Sequence, residues 1–281
     1  MLKLTNIRKS FGELVAVDGL VLDIREGEVF GLLGPNGAGK TTTVNIAVGL
    51  LAPDSGHVEV GNGASPLNPA CRSQIGVAPQ ALAIYEELTG EENLSFFGRL
   101  QGLSGQALKE RVSWALDFAG LTDRRKERSS KYSGGMKRRL NLAAALIHDP
   151  ALLFFDEPTA GVDPQSRNAI FENIQALQAE GRTVVYTTHY MEEAQRLCDR
   201  VGIIDHGRML ALDTVDGLIR THGGQDVLVI NPGEHEERIT TDDPLSELTR
   251  LKDEGRLQTF RLDRPDLEKV FLNLTGRKLR D

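Results

Sequence analysis

The stretch "GPNGAGKT", residues 34–41, follows the apolar run "EVFGLL" and precedes "KTTTVNIAVGLL", whose pattern is helical. A strand that turns through glycines into a helix, with the spacing G-x-x-x-x-G-K-[ST], is an arrangement whose backbone N–H groups enclose a phosphate at a helix N-terminus. In that reading the amides of residues 36–41 cradle the phosphates, Lys40 reaches the β- and γ-phosphates, and the Thr41 hydroxyl ligates Mg2+. The alternative is a plain glycine turn between strand and helix, and the flanking pattern argues against it.

Such a loop needs a parallel sheet behind it, and the rest of the chain has that rhythm. "EVFGLLG" (28–34), "IGVAP" (75–79), "ALLFF" (151–155) and "TVVYTT" (183–188) read as buried strands, alternating with helical patterns to about residue 205. "LVAVDGLVLDI" has period-two stretches instead, which predicts an antiparallel β patch ahead of the parallel core. Between two strands, Thr89 and Glu92 are spaced as a capping box, and "NLSFFGRLQGL" and "LKERVSWALDFAGL" are helical. A helical insertion over about 88–147 is therefore expected. "THGG" at 221–224 marks a boundary, so the expected domains are 1–222 and 225–281. The second would be a small C-terminal α+β appendage: a strand ("DVLVI"), a helix near 244–254, a strand ("LQTFRL"), and a helix with Leu267, Val270, Phe271 and Leu274 on one face. That face would pack on a dimer or permease surface, or only inside its own domain.

Composition excludes several classes. A length of 281 residues allows one or two domains with a proper core, and a net charge of -7 argues against a protein that coats nucleic acid. Cys71 and Cys198 are far apart and lack metal-ligand spacing, which argues against a disulfide scaffold or a zinc site. No stretch approaches the length of an apolar membrane span, and "MLKLTNIRKSFGELV" has no apolar leader core. The expectation is a cytoplasmic protein that meets the membrane only through a partner.

Three further positions carry chemistry. "ALLFFDEP" ends a buried strand in two carboxylates, where open α/β sheets bind ligand. Asp156 suits the Mg2+ shell and Glu157 would take a proton from an attacking water, unless Asp-Glu-Pro merely caps the next helix. "VVYTTH" sets His189 past another strand end, within reach of a γ-phosphate or in a structural role. Gln80, closing "GVAPQ", is an amide that would touch Mg2+ or the attacking water, or a surface residue.

"KYSGGMKRRL", 131–140, is a poor way to begin a helix. Ser133 is a reasonable N-cap, but Gly134 and Gly135 each cost roughly 1 kcal/mol against Ala in a helix interior. Lys137, Arg138 and Arg139 oppose the helix dipole at about 0.3–1 kcal/mol each. As an anion site the stretch makes sense; as a flexible loop before a solvated helix it needs no ligand.

Lys40, Gln80, "SGG" at 133–135, Asp156–Glu157, Asp163 and His189 occur in the order of an ABC transporter's ATP-binding subunit, which residues 1 to about 220 resemble. The resemblance implies an ABC ATPase of the P-loop NTPase class. It implies ATP held by Gly34, Pro35, Asn36, Gly37, Ala38, Gly39, Lys40, Thr41 and Thr42, with Phe11 of "SFG" stacking on adenine unless it simply packs in the core. Mg2+ falls to Thr41, Gln80 and Asp156, and catalysis to Glu157, Gln80 and His189. It also implies a head-to-tail homodimer. Ser133, Gly134 and Gly135 of one subunit would close over the partner's ATP, and Asp163 would lie in the dimer's D-loop. "YSGGM" departs from the commoner L-S-G-G-Q, which puts the missing Gln's contacts in doubt.

"THYMEEAQRLCDRVGIIDHGRML" and the tail "RPDLEKVFLNLTGRKLRD" resemble the drug and antibiotic exporter branch, whose integral membrane permease is usually a separate chain. That implies a subunit peripheral on the inner face of the cell membrane, acting on no nucleic acid. Relatives that act on DNA or ribosomes tend to carry zinc modules, coiled coils or duplicated ATPase halves. A soluble kinase would not need the carboxylate after Asp156 or the "SGG" segment.

Overall fold

The computed structural model describes residues 1–231 and 236–276. The chain divides into two compact units, Met1–Leu212 and Asp213–Asp281.

In the first unit, β1 (Leu2–Phe11) pairs antiparallel with β2 (Leu14–Ile24), burying Leu2, Leu4, Ile7, Leu20, Leu22 and Ile24 on one face. β3 (Val29–Leu33) runs into α1 (Lys40–Ala47), and β4 (Ser55–Val60) then returns to the free side of β1. The antiparallel patch thus has the order β2-β1-β4. β4 was not legible in advance because "SGHVEV" turns only Val58 and Val60 into the core.

After the short α2 (Pro69–Arg72) and β5 (Ile75–Ala78) come the insertion helices α3 (Gly90–Leu100), α4 (Gly105–Phe118) and α5 (Gly134–Leu146). The Thr89–Glu92 capping box forms in both directions: Glu92 N donates to Thr89 Oγ1 (3.1 Å) and Thr89 N to Glu92 Oε2 (2.8 Å). The three helices share a core of Leu94, Val112, Leu116, Leu140 and Ile147.

The chain continues through β6 (Leu152–Asp156), α6 (Pro164–Ala179), β7 (Thr183–Thr188), α7 (Met191–Leu197), β8 (Arg200–Asp205) and β9 (Arg208–Thr214). The resulting sheet has the order β5-β6-β7-β3-β8-β9, and every pair from β5 through β8 is parallel. β3, β6 and β7 are buried along their whole lengths, as expected of strands covered on both faces. Their registers place Leu33 opposite Thr188 and Asp156 opposite Thr187. The strand ends that lead to the phosphate loop, to Glu157 and to His189 therefore share one edge of the sheet.

The second unit opens with α8 (Val215–His222) and adds β10 (Asp226–Ile230), β11 (Glu237–Thr241), α9 (Pro244–Asp253), β12 (Phe260–Asp263) and α10 (Leu267–Thr275). Its sheet is antiparallel in the order β11-β10-β12. The division falls before residue 222, where the sequence suggested a boundary, because α8 packs on α10 with Leu218 buried. Leu267, Val270 and Phe271 are buried within the chain. These three residues of α10 are thus not an open surface for a partner, and of the two expectations for that face burial within the chain is the one found. The last residues of the exporter-like tail, 277–281, lie outside the described residues.

Candidate functional site

The phosphate loop gets its shape from Gly39, the N-cap of α1, at φ 102°. A Cβ there would stand 2.4 Å from the Ala16 carbonyl oxygen, so only glycine fits. The first turn of α1 has N–H groups with no intrahelical acceptor. It opens on a cleft of about 470 Å³ lined by residues that include Phe11, Asn36, Gly37, Lys40, Thr41, Thr42, Gln80, Glu157 and His206. Phe11 is 51 % exposed at the end of β1, which rules out the core-packing reading and leaves its ring on the cleft wall.

Four separated segments meet at Glu157. Lys40 Nζ lies 3.2 Å from Glu157 Oε1 and also donates to the carbonyl oxygens of Gly34 (2.8 Å) and Pro35 (3.1 Å). Gln80 Nε2 donates to Glu157 Oε2 at 3.2 Å. His189 Nδ1 approaches Glu157 Oε1 to 3.3 Å but is not aligned for a hydrogen bond, so this is proximity rather than a directed bond. Lys40 and Glu157 are both buried.

The backbone of Glu157 sits at φ 46°, a left-handed conformation that costs a residue with a Cβ on the order of 1–3 kcal/mol. It is held by its own N–H, which donates to the carbonyl oxygen (3.2 Å) and to Oγ1 (3.0 Å) of Thr187 on β7. Asp156 accepts from Thr41 Oγ1 at Oδ2 (2.8 Å) and from Thr187 Oγ1 at Oδ1. Neither carboxylate caps the next helix; Asp163 does, accepting from Ser166 N at 2.9 Å and Ser166 Oγ at 2.7 Å. Those bonds hold the Asp163 carboxyl below the usual carboxylate range.

Thr41 and Asp156 are hard oxygen donors side by side, the class Mg2+ takes together with phosphate oxygens and water. The residues present fit that ion. Gln80 contacts Glu157 rather than the Thr41–Asp156 pair.

The "SGG" segment is built as expected at Ser133, whose Oγ accepts from Met136 N at 3.2 Å as the N-cap of α5. Its cations, however, do not wait for an anion. Lys137 Nζ bonds Glu86 Oε1 (2.6 Å), and Arg138 donates to the carbonyl oxygens of Gln80 (2.6 Å) and Ala160 (3.3 Å). Arg139 donates to the Ala119 carbonyl. Gly135 has an internal reason too, since a Cβ there would meet Ser166 Oγ at 2.0 Å. Gly134 faces open space. Met136 turns inward to the helical core, where its Sδ accepts from Arg124 Nη1 at 3.6 Å.

Sequence reasoning missed Thr187, which fixes both carboxylate-bearing residues, and His206, which lines the cleft from the β8–β9 turn. The Thr187 hydroxyl gave no signal within a run read as a buried strand. His206 precedes a glycine in a tight turn with both φ values positive, a hairpin signal that identifies a turn but not its position against the cleft.

A P-loop nucleoside triphosphatase sheet with these motifs at one edge defines the class. The chain belongs to the ABC transporter family, whose sequence model matches residues 17–160. It is similar to a linearmycin resistance ATP-binding protein of Bacillus subtilis (strain 168), at 41 % identity over 100 % of both chains. It is 42 % identical to a Nod factor export ATP-binding protein I of Rhizobium sp. (strain N33), over 98 % of this chain and 97 % of that one. Among solved structures, an ATP-binding subunit of an ABC transporter superposes with a TM-score of 0.72 at 30 % identity, covering 79 % of this chain and 93 % of that one. A dimeric ATP-binding cassette in a post-hydrolysis state with ADP and Pi gives 0.69 at 28 % identity, over 76 % and 98 %.

Proposed function

We propose that this chain is the ATP-hydrolysing subunit of an exporter, working as a head-to-tail homodimer on a separate membrane permease at the inner face of the cell membrane. One observation carries the chemistry: Lys40, Gln80 and His189, from three distant segments, converge on the buried carboxylate of Glu157. In the proposal the amides at the start of α1 and Lys40 bind the phosphates of ATP, and Phe11 stacks on adenine. Water attacks the γ-phosphorus, Glu157 takes the water's proton, and ADP leaves with its β-phosphate oxygen. Gln80 and Lys40 orient Glu157, and His189 supplies a ring nitrogen to the γ-phosphate. Thr41 and Asp156 would hold Mg2+, which neutralises phosphate charge when bound. The ATP sandwich between subunits is completed by Ser133 and Gly134, with Asp163 near the interface. No helix among the described residues is long and apolar enough to cross a membrane, so energy must pass to the permease through contact. The relatives' roles in linearmycin resistance and Nod factor export support the exporter reading over action on nucleic acid or ribosomes.

Glu157→Gln keeps the shape and removes the base. It should preserve ATP binding, cut turnover at least about 100-fold and trap an ATP-bound dimer, because general bases contribute roughly 100- to 10,000-fold. Hydrolysis by this variant at the unaltered chain's rate would remove Glu157 from the mechanism.

A further inference from the structure

Glu193, on α7, is a buried acidic side chain outside the cleft. It is 2 % exposed, yet three hydroxyls converge on its Oε2: Thr159 Oγ1 at 2.9 Å, Tyr186 OH at 2.8 Å and Thr188 Oγ1 at 2.9 Å. Burying a carboxylate is expensive unless donors replace its water, and here three donors do so, one from the segment after β6 and two from β7. Thr159 stands two residues after Glu157. Thr188 immediately precedes His189 and also accepts from Tyr190 N at 2.9 Å, closing the turn that carries the imidazole. Tyr186 lies within β7 beneath both, and burial beside this carboxylate pushes its phenol well above the ordinary range, so it remains a donor.

The other carboxylate oxygen faces α6. Arg167 Nε lies 3.6 Å from Glu193 Oε1 without an aligned bond, and the same guanidinium sits 5.7 Å from the centre of the Tyr190 ring. Tyr190 in turn packs against His189, with ring centroids 4.0 Å apart. Asp163 is the N-cap of α6. One buried anion therefore touches the segment after Glu157, the turn that bears His189 and the helix capped by Asp163, without itself reaching the cleft.

We propose that Glu193 is a positioning residue for hydrolysis: through Thr159 and Thr188 it holds Glu157 and His189 in register with each other. The inference rests on the ATPase reading above. The Glu157–His189 approach of 3.3 Å is made by side chains on different strand ends, and Glu193 is the shared anchor under both. A residue that only filled space would serve equally well uncharged. A positioning residue would not, because an amide accepts more weakly from three hydroxyls and brings two hydrogens where only donors point.

The test uses the full-length chain and four variants: Glu193→Gln, Thr188→Val, their combination, and Glu157→Gln as a control. ATP affinity is measured by calorimetry and turnover at saturating Mg-ATP. The expected result is a fall in kcat of at least about 10-fold for Glu193→Gln, with ATP Kd within about 3-fold of the unaltered chain. Adding Thr188→Val to that variant should cost less than about 2-fold more, since both changes cut the same link. A folded Glu193→Gln with unchanged kcat overturns the proposal, as does a loss confined to Kd or effects of the two changes that simply multiply. If Glu193→Gln does not fold, Thr188→Val decides alone: lower kcat at unchanged Kd supports the proposal, and unchanged kcat overturns it. Hydrolysis that is insensitive to Glu157→Gln would instead overturn the ATPase mechanism itself, which keeps the two failures apart.

Discussion

Arg138 on α5 donates to the backbone carbonyl oxygen of Gln80 at 2.6 Å, tying the helix that starts at "SGG" to the loop that touches Glu157. Asn141, one turn further along, grips the same loop from both sides: its Oδ1 accepts from Ala83 N (2.9 Å) and its Nδ2 donates to the Pro79 carbonyl (3.3 Å). These buried side chains explain why a basic run is tolerated near a helix N-terminus. Burial disfavours the charged guanidinium of Arg138, and the Glu157 carboxylate nearby offsets part of that cost.

Arg138→Ala should therefore destabilise the protein rather than weaken an anion site. It removes the donor to the Gln80 and Ala160 carbonyls, and a hydrogen bond from a charged group is typically worth about 1.5–3 kcal/mol. Thermal or denaturant unfolding should show the loss, and it should persist without nucleotide.

The two glycines of "SGG" should separate cleanly. Gly135→Ala drives a methyl against Ser166, whose hydroxyl and amide bind Asp163, so it should lower the melting temperature. Gly134→Ala meets nothing within 4 Å and should melt no lower than the unaltered chain. If Gly134 closes on a partner's nucleotide, that variant should nonetheless lose ATP hydrolysis; full activity would place Gly134 outside the site.

A pH dependence follows from His148. Its Nε2 donates to the Ile75 carbonyl at 3.1 Å, and burial lowers its pKa against the weaker opposing effect of that bond. The folded protein thus binds the proton less readily than the unfolded chain, whose histidine titrates near 6.5. The stabilising contribution is complete above about pH 6.5 and is lost as the pH falls below it. Melting temperatures should drop on acidification more steeply for the unaltered chain than for His148→Gln, which keeps a donor for Ile75 but does not titrate.

Much of this was legible in the sequence because the informative elements state their own period or chemistry. "ALLFF" and "TVVYTT" are continuous apolar runs and became the central strands β6 and β7. Thr89 and Glu92 mark the start of α3 as a capping box. The motif order brought Lys40, Gln80, Glu157 and His189 to one place. What stayed hidden depends on partners distant in the chain. No local pattern shows that Arg138 points at a carbonyl 58 residues away, that Gly135 makes room for Ser166, or that α8 belongs with α10. In sequence Lys137, Arg138 and Arg139 suit an anion site as well as a solvated helix, because charge is visible there and hydrogen-bond partners are not.

The central claim is that one chain carries two half-sites, a P-loop for its own ATP and "SGG" for the ATP of its partner. Lys40→Ala damages the first and Ser133→Arg blocks the second, so each homodimer should lack an intact site. In a mixed dimer the head-to-tail arrangement puts both lesions in one site and leaves the other whole. Nucleotide occupancy of purified mixed dimers is the decisive measurement. One ATP held tightly between subunits, found in neither parent, is the predicted result. If "SGG" instead served the P-loop of its own chain, every site would keep one lesion. Verified mixed dimers holding no sandwiched ATP would contradict the account.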